Sequence, residues 1–262
     1  MQESDHTMIE DPRFDLAVVI PVYNEEACIA EVVHAWRHCL SELEVNHLIM
    51  VLDDGSTDGT QSALAVFDRD ERVELTTKSN SGHGPTILLG YHKAVSLAPW
   101  VFQCDGDNEM DPAFFEQLWR ARDGYDALFG TRAHRSQTAG RRLISWVSRL
   151  VVHLAYARGV QDVNTPYRLM RSSVLAPLLS AIPEATFAPN LMISGALAVA
   201  RVRIANFPIP HCNRRTGTVS IVKLRLWRSA ALSLAQTVVR APALRATARE
   251  LAARHESAGA PQ

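Results

Sequence analysis

Two carboxylates separated by one glycine, Asp105-Gly-Asp107, stand just past the apolar run Trp100-Val-Phe-Gln103. They belong to a longer string, Phe102-Gln-Cys-Asp105-Gly-Asp107-Asn-Glu109-Met-Asp-Pro112. At the end of a strand, this spacing lets both side chains converge on a hard divalent cation, with a diphosphate supplying other oxygen ligands. Mg²⁺ or Mn²⁺ suits such a partly open site, and there it would neutralise charge on a departing diphosphate. Turns are also rich in Asp for local hydrogen bonds, so the pair takes its meaning from its surroundings.

Two further polar strings supply those surroundings. Ile20-Pro21-Val-Tyr23-Asn24-Glu25 follows the apolar run Leu16-Ala-Val-Val-Ile20. Leu52-Asp53-Asp54-Gly-Ser-Thr-Asp58-Gly-Thr60 follows a second run that starts at His47. Carboxylates at adjacent strand ends can accept hydrogen bonds from a base N–H and from ribose hydroxyls. Asn24 and Asp58 also have the residue types of helix N-caps, a role that leaves their neighbours available to a ligand.

The elements that must position these strings are legible from periodicity. Short apolar runs predict strands over 16–20, 47–52, 73–76, 100–103 and 127–130. Between them the spacing predicts helices over 27–43, 60–67, 85–97 and 112–122, with Ile29, Val32, Val33, Trp36 and Leu40 on one face of the first. The second half reads as more helical, over 141–157, 172–179 and 191–200, with one strand over 202–209. An Arg-rich amphipathic helix is expected over 223–241, interrupted by Pro242, and 255–262 is expected to be disordered. Strand–helix alternation predicts an α/β fold, a mostly parallel central sheet flanked by helices. In such sheets ligands bind beyond the carboxyl ends of the strands, where each polar string sits.

Composition narrows the class. Apolar residues make up 47% of the 262-residue chain and charged residues 21%, ordinary values for a globular protein. No apolar stretch approaches the roughly 18 residues of a membrane span, and the acidic segment 1–13 reads as a tail rather than a secretory signal. Cysteines at 28, 39, 104 and 212 form no CxxC pair and no zinc spacing, so reduced thiols in the cytoplasm are expected. Gly82-His-Gly84-Pro-Thr-Ile lacks the third glycine of a dinucleotide fingerprint, which argues against a dehydrogenase. The formal net charge of −1 hides an asymmetry: residues 131–262 carry 19 Lys and Arg against 4 Asp and Glu, leaving 8 basic and 24 acidic groups in residues 1–130. A basic half of this kind fits a phosphate-bearing partner or an anionic membrane surface.

In this order, Pro21-Val-Tyr-Asn-Glu25, Asp53-Asp-Gly-Ser-Thr-Asp58, Asn80-Ser-Gly-His-Gly84 and Asp105-Gly-Asp107 resemble family 2 glycosyltransferases of the GT-A fold. Later strings are similar to the dolichol- and polyprenyl-phosphate sugar synthases within that family. These are Gly130-Thr-Arg132, Arg141-Arg-Leu-Ile-Ser145, Asp162-Val-Asn-Thr-Pro-Tyr-Arg168 and Pro208-Ile-Pro-His-Cys-Asn-Arg214-Arg-Thr-Gly217. The resemblance implies one domain over 14–222, with a nucleotide-sugar half over 14–130 and an acceptor half over 131–222, followed by the amphipathic segment 223–262. It also implies residue roles. Pro21, Tyr23, Glu25, Leu52 and Asp54 would cradle the base and ribose of a UDP- or GDP-sugar, with Asp53 close by. Asp105 and Asp107 would bind Mg²⁺ or Mn²⁺ and the diphosphate, Gly106 lending its backbone and Glu109 joining the metal. Arg132, Arg141 and Ser145 would hold an acceptor phosphate, and Arg214 would clamp the donor diphosphate. Thr165-Pro-Tyr-Arg168 stands where the family has Ser-Gly-Phe-Arg, so that loop is expected to take another path, and Asp162 either bridges to an Arg or acts in catalysis.

The implied reaction is an inverting transfer to a polyprenyl phosphate. An acceptor phosphate is already anionic near neutral pH, whereas a hydroxyl acceptor usually wants a carboxylate base. The second half offers only Asp162, Glu184, Glu250 and Glu256, and its arginines suit phosphate through their planar fork. A soluble or lipid hydroxyl acceptor is the alternative within the class, and a non-catalytic nucleotide-binding protein the alternative outside it. The basic helix after residue 223 has three candidate partners: an anionic membrane surface, the catalytic domain, or a second subunit of a homo-oligomer. The first would place the protein peripherally on the inner membrane face, and no nucleic-acid partner is implied. Asp107→Ala is expected to abolish metal-dependent transfer while leaving the melting temperature unchanged. Near-normal turnover in a metal-dependent assay would remove Asp107 from the metal site.

Overall fold

Every residue of the first strand, β1 (Leu16–Val22), is buried, so both of its faces must be covered. Its side chains divide by parity. Leu16, Val18 and Ile20 join one core cluster, and Ala17 and Val19 join the other. The computed structural model describes residues 12–133, 139–156, 163–210 and 223–258, with backbone alone at 132, 133, 139–145 and 223–230. Helices α1 (Ile29–Glu42), α2 (Thr60–Leu64), α3 (His83–Ala94), α4 (Phe115–Ala121) and strands β2 (His47–Asp53), β3 (Val73–Thr77) and β4 (Trp100–Gln103) complete the first half. The second half adds β5 (Ala127–Ala133), α5 (Ala139–Ala155), β6 (Arg168–Arg171), α6 (Ser172–Leu179), α7 (Pro189–Val199), β7 (Ile204–Pro210) and α8 (Lys223–Ala258).

The seven strands form one sheet in the order β3-β2-β1-β4-β6-β5-β7. β1, β2, β3 and β4 are parallel, β5 and β7 are parallel, and β6 runs antiparallel to both β4 and β5. The expected mostly parallel α/β fold is therefore present, and β4, β5 and β1 end at the same edge. Under one face Trp36, Phe102, Phe115 and Tyr167 pack ring to ring, with centroids 4.8–6.0 Å apart. Against the other face lie Ile87 and Tyr91 of α3, with apolar residues of α6, α7 and α8.

Three expectations need correction. The spacing predicted no strand at 168–171, yet β6 pairs there with β4 in the register Gln103↔Arg168 to Trp100↔Arg171. Four residues bounded by two arginines give too short an alternation to read, and Arg168 is fully buried despite its charge. Because β6 inserts between β4 and β5, the two halves share one sheet rather than forming separate bodies.

Pro242 does not interrupt α8, which continues through it to Ala258. Proline inside a helix costs roughly 3 kcal/mol. Leu244 and Leu251 are buried beyond it, and burying a leucine is worth about 1.5–3 kcal/mol. The buried face is Ser233, Thr237, Ala241, Leu244, Ala248 and Leu251, spaced four or three residues apart, and it packs on α5, α6 and α7. Of the three partners weighed for this segment, the catalytic domain takes that face. Residues 255–258, expected to be disordered, belong to α8 instead, which presents Val238 and Val239 exposed on its other face.

Candidate functional site

The loops following β1 and β2 are sewn together. Asn24, at φ 55°, accepts from the Thr57 amide at 2.8 Å, while its own amide donates to Ser56 Oγ at 2.9 Å. The Glu25 amide donates to Thr60 Oγ1, and the Gly59 amide donates to Glu26 Oε2 at 2.6 Å. Asp58 accepts from the amides of Thr60 and Glu26. Neither Asn24 nor Asp58 is the N-cap of the helix that follows; Cys28 and Gly59 are. Their polar groups are spent on holding one loop to the other.

The adjacent carboxylates of Asp53 and Asp54 are both buried, at 2% and 3% exposure. Asp53 accepts from the Ser56 amide and hydroxyl and from Gln61 Nε2 at 2.9 Å. Asp54 accepts from the amides of Ser81 and Gly82, each at 2.8 Å, and from the Lys78 ammonium. Burial alone would push the Asp54 carboxyl up. The hydrogen bonds from Lys78, Ser81 and Gly82 outweigh it and hold the group below its usual range. Gly55 lies beneath this clamp at φ +71°. A Cβ there would sit 2.9 Å from the Asn80 nitrogen, so only glycine fits.

In the expected donor cradle, Leu52 is fully buried in the core and Pro21 is buried. Asp53 and Asp54 organise loops, each through three accepted hydrogen bonds. Tyr23 is 40% exposed, and Glu25 is half-buried with the Cys28 thiol 3.6 Å from its Oε2.

The Asp105-Gly-Asp107 turn lies beside this pair of loops. Cys28 at the start of α1 directs its thiol to the Gly106 carbonyl oxygen at 3.4 Å, and the Cys104 amide donates to Val19 of β1. Asp105, Asp107 and Glu109 are half-buried, and Asp107 accepts from the Glu109 amide at 3.2 Å. Asp105 Oδ1 receives Gln103 Nε2 at 3.4 Å, and His83 Nε2 lies 3.6 Å from the same oxygen. Among the described residues no three His, Cys, Asp or Glu side chains converge as a metal cluster. Gly84 brings the start of α3 against the backbone of Thr186 and Phe187: a Cβ there would meet both carbonyl oxygens at 2.2 Å.

The expected acceptor residues are placed by backbone. Arg132 lies near the end of β5, at the same sheet edge as β4, and Arg141 and Ser145 lie in the first half of α5. Their side chains, and the whole of Asp162 and Arg214, lie outside the described residues. Sequence reasoning missed Lys78 and the buried group Gln103, Tyr91 and Asn190. The one available signal was a glutamine inside an otherwise apolar strand, directly before the acidic turn.

Comparison with known proteins agrees with this geometry. Residues 17–176 match the model of the family described as glycosyl transferase family 2. The chain is 31% identical over 217 residues to an undecaprenyl-phosphate 4-deoxy-4-formamido-L-arabinose transferase of Pseudomonas aeruginosa (strain LESB58), covering 80% of this chain and 62% of that protein. It is 27% identical over 223 residues to the like-named transferase of Pectobacterium carotovorum subsp. carotovorum (strain PC1), covering 84% and 66%. The chain thus spans less than two thirds of the length of these relatives. Among solved structures, glucosyl-3-phosphoglycerate synthase from Mycobacterium tuberculosis, in complex with Mn²⁺, UDP-glucose and phosphoglyceric acid, superimposes with a TM-score of 0.62 at 18% identity, over 87% of this chain and 80% of that one.

The clamp on Asp54 generates a pH prediction. Its folded-state pKa lies below the unfolded value of about 3.9. Its stabilisation is therefore complete above that value and is lost as pH falls through the folded-state pKa. Asp54→Asn is expected to melt below the parent protein at neutral pH, with the gap closing in acid below about pH 4. Melting curves that keep the same gap in strong acid would contradict the clamp.

Proposed function

The chain belongs to glycosyl transferase family 2, and on that premise we propose that it transfers a sugar from a UDP- or GDP-sugar to a polyprenyl phosphate, with inversion and with Mg²⁺ or Mn²⁺. The observation that carries this reading is the acidic turn at Asp105 and Asp107, held at the carboxyl edge of the sheet beside the cross-tied loops of β1 and β2. The relatives' names supply the acceptor class, and the fold shared with the Mycobacterium tuberculosis synthase is consistent with a nucleotide-sugar site at that edge.

The residues present fit a divalent cation of the open kind. Two half-buried carboxylates, with half-buried Glu109 two residues on as a further ligand, match an ion that takes its remaining ligands from a diphosphate and water. Asp105 and Asp107 would hold it, and when bound it would offset charge on the departing diphosphate. Tyr23 and Glu25 line the approach to the base and ribose. The Asp54 clamp keeps segment 78–82 beside that approach. Transfer needs the acceptor oxygen in line with the departing group, and orientation supplies much of the rate. Arg132 near the end of β5, with Arg141 and Ser145 on α5, would hold the incoming phosphate, and Arg214 would clamp the donor diphosphate.

A lipid acceptor also asks for a surface that meets the bilayer. Trp146, Leu150 and Leu154 are spaced four residues apart on α5, with exposures of 54%, 39% and 76%, and Arg149 stands exposed among them. An apolar stripe with basic neighbours, in a half carrying 19 Lys and Arg against 4 Asp and Glu, suits an anionic lipid surface. Among the described residues no helix is long and apolar enough to cross a membrane, so the contact proposed is peripheral.

Two experiments test this reading. The protein, given labelled UDP- or GDP-sugars and Mn²⁺, is expected to glycosylate a short polyprenyl phosphate and to lose that activity in EDTA. Product formed solely on the free polyprenol would replace the acceptor, and no transfer with any donor would leave a nucleotide-binding protein. Separately, Trp146→Ser with Leu154→Ser is expected to lower co-sedimentation with phosphatidylglycerol vesicles and leave the melting temperature unchanged. Undiminished co-sedimentation would move the membrane contact elsewhere.

A further inference from the structure

Gln103 is the last residue of β4, fully buried, and the carboxamide it carries has little reason to lie inside an apolar strand. Its oxygen accepts from Tyr91 Oη of α3 at 2.8 Å and from Asn190 Nδ2 of α7 at 2.8 Å. Tyr91 Oη also lies 3.2 Å from Asn190 Oδ1, closing a triangle of three buried polar side chains from three elements. Burial raises the Tyr91 phenol above its ordinary range, with Arg168 acting downward and Asp105 upward, so it stays a neutral donor.

That triangle fixes which way the Gln103 amide faces. Turning it over would set its NH₂ against the Asn190 NH₂ and its oxygen against the Asp105 carboxylate, both unfavourable. The NH₂ is therefore aimed at Asp105 Oδ1, 3.4 Å away. The Asn190 side chain is held by Gln103 and Tyr91. Its backbone carbonyl oxygen accepts from Arg168, whose guanidinium also donates twice to the Thr165 carbonyl oxygen, which ties the start of α7 to β6. His83 approaches the same Oδ1, and among the described residues no donor addresses Oδ2. Asp53, Asp54, Asp58, Asp107 and Glu26 each accept from a backbone amide, which no substitution of a side chain removes. Asp105 is set by a side chain that is itself set by two others.

We propose that Gln103 is a positioning residue for Asp105: held by Tyr91 and Asn190, its amide fixes the carboxylate so that Oδ2 is presented to the cation and diphosphate. The inference rests on the glycosyltransferase reading of the site and adds a residue to it. It also gives the second half a part in donor binding, because Asn190 and Arg168 reach the acidic turn through Gln103.

The test measures metal binding apart from turnover. Mn²⁺ is titrated by electron spin resonance into the protein with UDP, and UDP binding without metal is measured by calorimetry. Loss of a group that orients a metal ligand weakens metal binding by about tenfold or more, and Gln103→Leu is expected to do so while metal-free UDP binding is kept. Tyr91→Phe, which removes one hydroxyl and keeps the ring, is expected to shift Mn²⁺ binding in the same direction by less. It carries the test if Gln103→Leu does not fold. Unchanged Mn²⁺ affinity in the folded variants, or a parallel loss of metal-free UDP binding, would overturn the positioning role. The same titrations are made with GDP, and a parent protein that binds neither nucleotide, with or without Mn²⁺, would overturn the glycosyltransferase reading and the inference with it.

Discussion

Crowding carboxylates onto one edge of a sheet is the constraint that the rest of this structure answers. Asp53, Asp54, Asp58, Asp105 and Asp107, with Glu25, Glu26 and Glu109, all stand on three neighbouring loops, and like charges so close repel. The fold meets this with donors. Ser56 serves Asp53, Ser81 and Gly82 serve Asp54, Thr60 serves Asp58, Gly59 serves Glu26, and Glu109 serves Asp107, each through its backbone amide. Lys78 adds the one ammonium among the described contacts to these loops. At Asp54 and Asp58 the hydrogen bonds outweigh burial and hold the carboxyls below their usual range, so there the donors favour the charged form as well as order.

Burial divides these carboxylates into two groups. Asp53 and Asp54 are adjacent and nearly identical in chemistry, yet both are buried and bonded inward. Asp105 and Asp107, separated by a buried glycine, keep exposed surface. A sequence motif does not distinguish the two cases, because both are pairs of aspartates just past an apolar strand. Burial and the direction of nearby amides distinguish them.

The order of strands and helices in the first half was legible because its apolar runs alternate cleanly with amphipathic stretches, and the acidic turn announced itself by spacing. What stayed hidden depended on tertiary context. β6 has four residues and a buried arginine, and its existence follows from pairing with β4 rather than from its own pattern. α8 passes through Pro242 because leucines beyond it find a core that local propensity does not report. Leu52 belongs to a motif associated with ligands, but the strand's alternation turns its side chain into the core. Gln103 looked like an exception in an apolar strand and is explained by Tyr91 and Asn190, which are 12 and 87 residues away in the chain.

The decisive measurement is a crystal structure of the protein grown with UDP and Mn²⁺. The account predicts a cation bridging the diphosphate and the Asp105–Asp107 turn, with the base and ribose lying toward Tyr23 and Glu25 and the amides of Ser81 and Gly82 still on Asp54. A nucleotide seated away from this sheet edge, or a cation that touches neither aspartate, would contradict it.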